Sequence, residues 1–429
     1  MIEAGEGMAE ITPPLGVELA GFHKPPGKER RVTGVRQPTM ARALVLRHGR
    51  ASAAIIVLEV IGFSAAFASR VKRQVLKRTR IPAAHINVCA SHTHSSPTLC
   101  YLRQWGALSE DYSRLVEQRA VEAAVAAAAD VGPADCYTGS ERVIGGNFNR
   151  TSKTWKTDGE FTRDSTDAER WLDTTLQALY FVRERPKRDL LWYHFSAHPV
   201  CYTDGLAGPD WPGIVATKMQ ARDDLSPVFL QGHAGDVNPG PGQPWLGEPE
   251  QVSEAVYAAL HHATNHSRLN QVDTLRLANG EAKLPFDIAL LKEQVARYEA
   301  DPAQCIKGEW VDAGFAADWH AGAKKWTSGK TSYPTPLGAM RLGEVGLLFH
   351  PAELYSFYGL RVRLDSPFPH TLAVGYANDI IGYLTDPNAY AAKEYAAVVV
   401  PKILDLPPFK PQAAQVLTDA AVGLLRKLV

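Results

Sequence analysis

The segment INVCASHTHSSP, residues 86–97, combines a structural signal with a chemical one. Its first five residues are an apolar run typical of a buried strand. Six polar residues follow and end at Pro97, which cannot continue a β-ladder. In an extended segment the side chains at i and i+2 share a face, so we expect His92 and His94 to project together from the end of the strand. This pair indicates a metal site, although local hydrogen bonds explain an isolated H-x-H equally well.

The same arrangement, an apolar strand that runs into a small-residue turn with polar side chains, recurs along the chain. The further strands are predicted at 190–195, 227–231, 345–349 and 372–376. Their turns carry His198, His233, Asp236, Asn238, His350, Glu353, Asn378 and Asp379. Because α/β sheets bind ligands at the carboxyl ends of their strands, five such endings predict one shared cleft. We therefore predict an α/β fold in which helices flank mixed central β-sheets and the site lies at the carboxyl ends of the strands.

Local patterns predict the elements around these strands. Residues 42–47 and 53–63 indicate two strands joined by a tight turn, and a further strand is expected at 135–137. Ser253 and Asp287 are the expected N-caps of two helices. The polar stretch 151–173 has little apolar periodicity and is expected to run over one face. Helices are predicted over 69–80, 111–130, 253–264, 288–300 and 410–429.

Composition narrows the class of protein. The 429 residues include 46 basic and 46 acidic side chains, so no net charge favours nucleic acid or a membrane surface. The most apolar window, 53–63, is too short to span a bilayer, and the N-terminus lacks the features of a signal peptide. Five scattered cysteines without a C-x-x-C pair favour reduced thiols. We expect a cytoplasmic protein with a small-molecule substrate, and association into a homo-oligomer stays open.

The polar strand ends contain the ligands of a catalytic zinc site. Such a site uses neutral histidines and a carboxylate and leaves one position to water, and His92, His198 and Glu353 supply that set. Zinc would lower the pKa of the bound water from about 16 toward 7. Arg150, in the segment GGNFNR, is a candidate to bind a substrate carboxylate or an oxyanion, the alternative being a surface ion pair.

Several segments in a fixed order resemble the neutral/alkaline non-lysosomal ceramidases, in particular their N-terminal catalytic domain. The resemblance covers nearly the whole chain, and the order of the motifs makes it much more specific than any one of them. The segments are AEITPPLGVELAGF at 9–22, ARALVL at 41–46, SHTHSSP at 91–97, GGNFNR at 145–150, FSAHPV at 195–200, PDWPG at 209–213, QGHAGDVNP at 231–239, HPAE at 350–353 and ANDIIGYLTDPNAYAAKEY at 377–395.

The resemblance implies a single zinc ion and the residues around it. Of three tyrosines in the matching segment, Tyr383 is taken as a ligand and Tyr395 as a substrate-side partner, and Tyr390 replaces Tyr383 if the alignment shifts. His94 and Arg150 match positions that contact the substrate near the metal. The implied ligand set is His92, His198, Glu353 and Tyr383.

The chain departs from the family pattern in two ways. Asn238 occupies the place of the serine in the G-D-x-S-P turn that ceramidases require for amide cleavage. A carboxamide cannot act as a covalent nucleophile, although it can orient a water or a carbonyl group. We also expect neither the C-terminal immunoglobulin-like domain nor the secretion signal of the family. We therefore expect a single catalytic domain over 1–429, and the ceramide substrate does not follow from the resemblance.

The leading hypothesis is a zinc-dependent hydrolase that cleaves an amide, ester or lactone bond of a small polar substrate with zinc-activated water. His94 would relay protons, and Arg150 and Tyr395 would stabilise the developing negative charge. Asn238, with Asp236 behind it, would position the substrate. The alternatives are a zinc-dependent lyase or isomerase and a non-catalytic, ceramidase-like binding protein.

Overall fold

Two mixed β-sheets lie at the centre of the structure, a computed structural model that describes residues 1–151, 158–166 and 172–429. The strands are β1 (Ile2–Glu10), β2 (Gly34–Val35), β3 (Met40–His48), β4 (Ala51–Leu58), β5 (Ile86–Ala90), β6 (Gly132–Arg142), β7 (Asn147–Asn149), β8 (Thr175–Arg183), β9 (Leu190–Phe195), β10 (Leu206–Ala207), β11 (Val228–Gln231), β12 (Val237–Pro239), β13 (Arg268–Leu269), β14 (Leu275–Pro285), β15 (Ser332–Leu342), β16 (Val345–Phe349), β17 (Glu353–Leu354), β18 (His370–Val374) and β19 (Tyr383–Leu384).

Helices cover the outer faces of these sheets. They are α1 (Ala65–Thr79), α2 (Glu110–Asp130), α3 (Trp211–Asp223), α4 (Pro249–Asn265), α5 (Ile288–Ala300), α6 (Ala313–Ala323), α7 (Ser356–Asp365), α8 (Pro387–Ala391), α9 (Tyr395–Val398), α10 (Val400–Ile403) and α11 (Ala413–Arg426). The predicted α/β class, with helices around mixed central sheets, is confirmed.

Three pairs of neighbouring strands in the two sheets of the described chain are parallel. The first sheet has the order β11-β9-β8-β6-β1-β3-β4-β5, with β13 beside β6, and the second has the order β14-β15-β16-β18. Within them, β11 with β9, β4 with β5, and β16 with β18 pair in parallel, and the other pairs are antiparallel. Parallel neighbours end at the same edge of a sheet, so the turns after β9 and β11 lie together. Five antiparallel pairings between described strands separate β9 from β4 and β5, so β5 runs in the opposite direction, and its turn reaches the turn after β9 through the hydrogen bond from His94 N–H to Pro199 O.

The hydrophobic core has several layers. The two sheets share one cluster of buried side chains, which includes Ile55 and Trp192 from the first sheet and Leu347 from the second. The outer face of the first sheet packs against α1 and α2 at one end and against α3 and α4 at the other. The second sheet packs against α7 and α11. The strands between these layers are buried on both faces, which explains their continuous apolar runs.

The sequence-based boundaries need correction in several places. The helices begin or end within a few residues of the predictions, and Asp287 caps α5 by accepting a hydrogen bond from the backbone N–H of Leu290 at 2.9 Å. Ser253 is not a cap, because α4 already begins at Pro249, whose fixed φ suits the first helical position. The predicted strand 53–63 ends at Leu58. The predicted excursion 151–173 lies partly outside the described residues.

Two further expectations can be compared with the described part of the chain. Among the helices of the described residues, none has both the length and the hydropathy of a membrane span. All five cysteines are free thiols, four of them buried and Cys201 partly exposed.

Glycines allow α2 to lie directly on β1. A Cβ at Gly7 would overlap the backbone of Ala123 and Ala127, and a Cβ at Gly5 would overlap the backbone of Ala127 in the same way. Both glycines pair with β3 in regular antiparallel register. Close approach of the helix, and not an unusual backbone angle, is what requires glycine here. The alanine-rich face of α2 serves the same contact.

A buried lysine joins the α6 region to the segment that carries α9 and α10. Lys402 is 2% exposed, and its Nζ donates to Val398 O at 2.6 Å. The ammonium group lies 5.2 Å from the ring centroid of Trp310 and 5.4 Å from that of Trp319. Its nearest carboxylate, from Glu309, is 3.8 Å away. Burial lowers the pKa of Lys402 to about 7, and Glu309 opposes part of this shift.

We expect Gly7→Ala to lower the free energy of unfolding by about 1–3 kcal/mol, because α2 must move away from β1 to admit the methyl group. Urea denaturation followed by circular dichroism measures the change. Gly423→Ala is the control, since this exposed glycine of α11 has no neighbour within 4 Å of an added Cβ. It should be neutral or stabilising by up to about 1 kcal/mol. Equal effects of the two substitutions would contradict the packing argument.

The buried Lys402 should make stability depend on pH. Between pH of about 7 and 10.5 the unfolded state binds more protons than the folded state, because the pKa of Lys402 is lowered only on folding. The free energy of unfolding therefore rises with pH across this window. Lys402→Met should remove this part of the rise, whereas Lys410→Met, at an exposed position, should leave it unchanged. Parallel denaturation curves at several pH values for the three proteins test this, and an identical pH dependence would contradict it.

Candidate metal centre and active site

The loop after β5 supplies two of the candidate residues. The strand ends at Ala90, and His92 has a left-handed backbone with φ 66°, so the two histidines do not alternate along an extended strand as we expected. The backbone N–H of His92 donates to Val60 O and that of His94 donates to Pro199 O, both at 3.0 Å. The loop thereby folds back and brings the ring centroids of His92 and His94 within 5.0 Å.

Two other elements bring His198 and Glu353 to the same place. His198 follows β9, and its backbone N–H donates to Val237 O at 3.3 Å. Glu353 lies in β17, which pairs in parallel with β19, so Glu353 and Tyr383 are partners in the register. His92, His198 and Glu353 are all buried. The structure thus brings together the four side chains for which the resemblance implies a common ion.

Hydrogen bonds decide which ring nitrogens face the centre. Nδ1 of His92 donates to Ile61 O at 2.6 Å, and Nδ1 of His198 donates to Val237 O at 2.9 Å. A carbonyl oxygen only accepts, so each Nδ1 carries a proton, and Nε2 is the ring nitrogen that is placed to bind a metal. Both Nε2 atoms lie 3.4 Å from Oε2 of Glu353. Two ring nitrogens and one carboxylate oxygen therefore meet at one point.

Burial and neighbouring charges set the protonation states. Burial lowers the pKa of His198 to about 4, and Arg150 adds to the shift. Burial also lowers the pKa of His94 well below its ordinary value, and the other two histidines add to it. Burial alone would raise the pKa of Glu353, but His92 and His198 outweigh it and hold that pKa below its ordinary range. The ionised form of Glu353 and the neutral forms of His94 and His198 are therefore the favoured ones.

This donor set fits a divalent metal ion. Catalytic zinc sites use such ligands, and ligand atoms about 2.0–2.1 Å from a tetrahedral ion lie about 3.3–3.4 Å apart. The separations of 3.4 Å from Glu353 match this spacing. His94 is a further potential ligand, because its Nε2 lies 3.4 Å from Nε2 of His92. One ring nitrogen each from His92, His94 and His198 lie within 4.8 Å of one another.

Arg150 connects the predicted tyrosine ligand to Asn238. Its Nη2 donates to Tyr383 Oη at 2.8 Å, and its Nη1 donates to Asn238 Oδ1 at 3.2 Å. Tyr383 Oη lies 3.5 Å from Nε2 of His198, at the edge of the candidate metal position. Burial raises the pKa of Tyr383 well above 10, and Arg150 opposes the rise. Arg150 therefore lies inside the site rather than in a surface ion pair.

Asp236 supports the site without facing it. Its Oδ1 accepts hydrogen bonds from the backbone N–H and the hydroxyl group of Ser356, both at 2.8 Å. Its Oδ2 accepts from Nδ2 of Asn149 at 2.9 Å. The carboxylate thus ties the turn that carries Asn238 to the start of α7 and to the strand before Arg150.

Not every polar strand end belongs to the site. Asn378 Oδ1 accepts from the backbone N–H of Val88 at 3.1 Å, and Asp379 Oδ1 accepts from the backbone N–H of Ala65 at 2.8 Å. The expectation that all five endings share one cleft is wrong for these two residues, because their side chains satisfy backbone groups of β5 and α1. Tyr390 packs against the core of the second sheet, whereas Tyr383 and Tyr395 lie at the site.

A pocket of about 50 Å³ opens beside the cluster. His92, His94, Glu353 and Tyr383 line its polar side, and Tyr395, which is 44% exposed, also lines it. The pocket is therefore small, and the candidate metal ligands form part of its lining. The opposite wall is apolar and consists of Leu102, Trp105, Ile380, Val400, Ile403 and Leu404.

Sequence reasoning missed several residues of the site. The ring of Tyr376 lies 4.3 Å from that of His92, and its hydroxyl group lies 3.5 Å from Oε2 of Glu353. The guanidinium of Arg30 donates to the backbone oxygens of His94 and Ala20, the latter at 3.0 Å. The position of Tyr376 at a strand end beside a polar turn was a usable signal. Arg30 gave none, because it lies in a charged stretch that looks solvated.

The chain is similar in sequence and in fold to known proteins. Residues 3–239 match the family model described as neutral/alkaline non-lysosomal ceramidase, N-terminal. A crystal structure of neutral ceramidase from Pseudomonas aeruginosa is similar in fold, with a TM-score of 0.71 and 19% identity over 99% of this chain and 75% of that one. A structure of a ceramidase complexed with C2 has a TM-score of 0.73 and 18% identity, covering 100% and 75% of the two chains. No curated protein sequence matches this chain.

Proposed function

The chain belongs to the neutral/alkaline non-lysosomal ceramidase family, and on this basis we propose that it is a zinc-dependent hydrolase of an amide, ester or lactone bond. Membership of this family supports a hydrolase, and the buried histidines are compatible with a metal site. The observation that carries the proposal is the 3.4 Å separation of Glu353 Oε2 from Nε2 of both His92 and His198. A cation at this point is attracted by the carboxylate and can be bound by the two ring nitrogens.

Four side chains would hold the ion. His92 and His198 would bind it through Nε2, Glu353 through Oε2 and Tyr383 through Oη. When bound, zinc lowers the pKa of a coordinated water toward about 7 and polarises a carbonyl group. The backbone oxygen of Ile61 keeps the ring of His92 in the required tautomer, and such outer contacts typically matter about 10–100-fold for metal affinity or activity.

His94 is placed to move a proton. Its ring lines the pocket, and its Nδ1 is buried without a hydrogen-bond partner in the described part of the chain. Because burial keeps the ring neutral at pH 7, it can accept a proton from the attacking water. The same nitrogen then donates this proton to the leaving nitrogen or oxygen.

Donors around the pocket would stabilise the negative charge that develops on the carbonyl oxygen. The phenol group of Tyr395 lines the pocket, and burial raises its pKa, so it stays protonated at neutral pH and can donate a hydrogen bond. Arg150 fixes the Tyr383 hydroxyl group through its 2.8 Å hydrogen bond. The amide of Asn238 accepts from Arg150 and donates to Trp245 O at 2.8 Å, so in our proposal it holds Arg150 in place rather than contacting the substrate. It cannot form a covalent intermediate, so water is the proposed nucleophile.

The volume of the pocket supports a small substrate. Its apolar lining, however, changes the expectation that the substrate is polar. About 50 Å³ accommodates a group no larger than a few water molecules. Much of its lining is apolar and includes Leu102, Ile380 and Leu404. We therefore propose a substrate whose reactive carbonyl group faces the histidines and whose short hydrocarbon part lies against this apolar lining.

The cysteines support a cytoplasmic location as part of the proposal. All five are free thiols. Reducing compartments keep thiols in this state, whereas exported proteins commonly pair them.

We expect His92→Ala to weaken zinc binding at least about tenfold, because one of the ligand nitrogens is lost. Metal content of the purified protein by mass spectrometry, together with competition against a chromophoric chelator, measures the change. His48→Ala, at the end of β3, is the matched control and should retain the metal. Full zinc affinity in the His92→Ala variant, with the native circular dichroism spectrum, would show that the ligand set is wrong.

Turnover of small amides, esters and lactones should stop when the metal is chelated and return when zinc is added back. In ¹⁸O-labelled water the product acid should contain one solvent oxygen, because water is the nucleophile. Mass spectrometry of the products measures this. Turnover that survives chelation would exclude the mechanism, and turnover without solvent oxygen in the product would favour the lyase or isomerase alternative.

A further inference from the structure

A second cavity lies away from the metal centre, between the ends of β3 and β4 and the helix α3. We call it the seam pocket; Met40, Arg42, Val57 and Glu59 form its sheet side, and α3 and the start of β11 form the other. Its volume of about 400 Å³ falls in the range of small-molecule sites. None of the described residues that line it also lines the pocket at His92.

Glu59 is the acidic group of the seam pocket. Its Oε2 accepts a hydrogen bond from the backbone N–H of Met40 at 2.7 Å, and the described residues provide no other hydrogen bond to this carboxylate. Burial raises the pKa of Glu59 to about 7, and the bond from Met40 and the charge of Arg42 oppose the rise. A carboxylate in such surroundings is stabilised by a positively charged hydrogen-bond donor.

Arg42 is already neutralised by another carboxylate. Its Nη2 lies 3.0 Å from Oε2 of Glu6, and its two terminal nitrogens donate to Ser226 Oγ and O at 3.1 Å. Glu6 in turn accepts from Nε1 of Trp192 at 3.0 Å. Among the described residues that line the seam pocket, Glu59 is therefore the charged residue without an ion-pair partner.

A buried hydroxyl group in the same pocket also lacks a partner. Ser91 is 2% exposed, and its Oγ makes no hydrogen bond within the described part of the chain. Such a group gains from a ligand that offers a donor or an acceptor. Much of the remaining lining is apolar and comprises Pro38, Val57, Ala216, Pro227, Val228 and Phe229.

We propose that the seam pocket binds a small organic amine in its protonated form. The ammonium group pairs with Glu59, a neighbouring hydroxyl or carbonyl group of the ligand hydrogen-bonds to Ser91, and the hydrocarbon part lies against Phe229 and α3. A neutral ligand of the same shape leaves Glu59 unpaired, and an anion is repelled by it. Charge and apolar contact together define the class of ligand.

A ligand in the seam pocket would touch both chain segments that hold His92. Ser91 immediately precedes His92 in the chain. Glu59 immediately precedes Val60 and Ile61, whose oxygens accept hydrogen bonds from the backbone and the ring of His92. The binding site itself is separate from the metal centre and does not depend on the proposed hydrolysis.

Benzylamine and benzyl alcohol are suitable probes, because they have the same shape and differ in charge at about pH 8. Isothermal titration of the full chain should show that the wild type binds benzylamine at least about tenfold more tightly than benzyl alcohol. Glu59→Gln should lose this preference while preserving the shape of the side chain. Glu10→Gln, which removes an exposed carboxylate of β1, is the control and should bind benzylamine like the wild type.

Ala216→Phe provides an independent variant, since it fills the seam pocket from α3 and leaves Glu59 in place. It should abolish binding of benzylamine, and an unchanged thermal unfolding temperature shows that it folds. Equal affinities of the wild type and Glu59→Gln for benzylamine would overturn the proposal. Equal affinity of the wild type for the two probes, or no measurable binding of benzylamine, would overturn it as well.

Discussion

The active site depends on the close approach of three buried side-chain atoms, one carboxylate oxygen and two ring nitrogens. Oε2 of Glu353 lies 3.4 Å from Nε2 of both His92 and His198, and each ring is oriented by a hydrogen bond from Nδ1 to a backbone carbonyl group. Such an arrangement is unfavourable in a buried site unless a positive charge compensates it. A cation bound between these atoms would stabilise the arrangement, and the spacing of the atoms suits a tetrahedral ion.

The fold holds these atoms in place through backbone interactions. The parallel pairing of β17 with β19 puts Glu353 beside Tyr383. The loop after β4 and the start of β12 supply the oxygens of Ile61 and Val237 that orient the rings. Arg150 and the carboxylate of Asp236 then join the surrounding turns to one another. Because rigid elements carry these contacts, the site does not rely on flexible side chains to find its geometry.

Much of the architecture was predictable from local sequence. Apolar runs identified the buried strands, as in β5, β9 and β16, because strands covered on both faces need continuous hydrophobic residues. Helical periodicity and capping chemistry identified α2 and α5. The polar residues at strand ends pointed to His92, His198 and Glu353, since α/β folds commonly bind ligands at the carboxyl ends of strands. Helix starts were less accurate, as Ser253 shows, because several residues near one helix end can serve as a cap.

Only the tertiary structure decided how these residues face one another. Asn378 and Asp379 have the same local pattern as the site residues, yet they bond to the backbone of β5 and α1, and no local signal distinguishes the two outcomes. Tyr376 and Arg30 reach the site from positions that look like core and surface in the sequence. The sequence by itself determined the layers and the chemistry available at their edge. The pairing of atoms across distant segments, which controls protonation and ligand spacing, depends on distances that arise only when the sheets pack together.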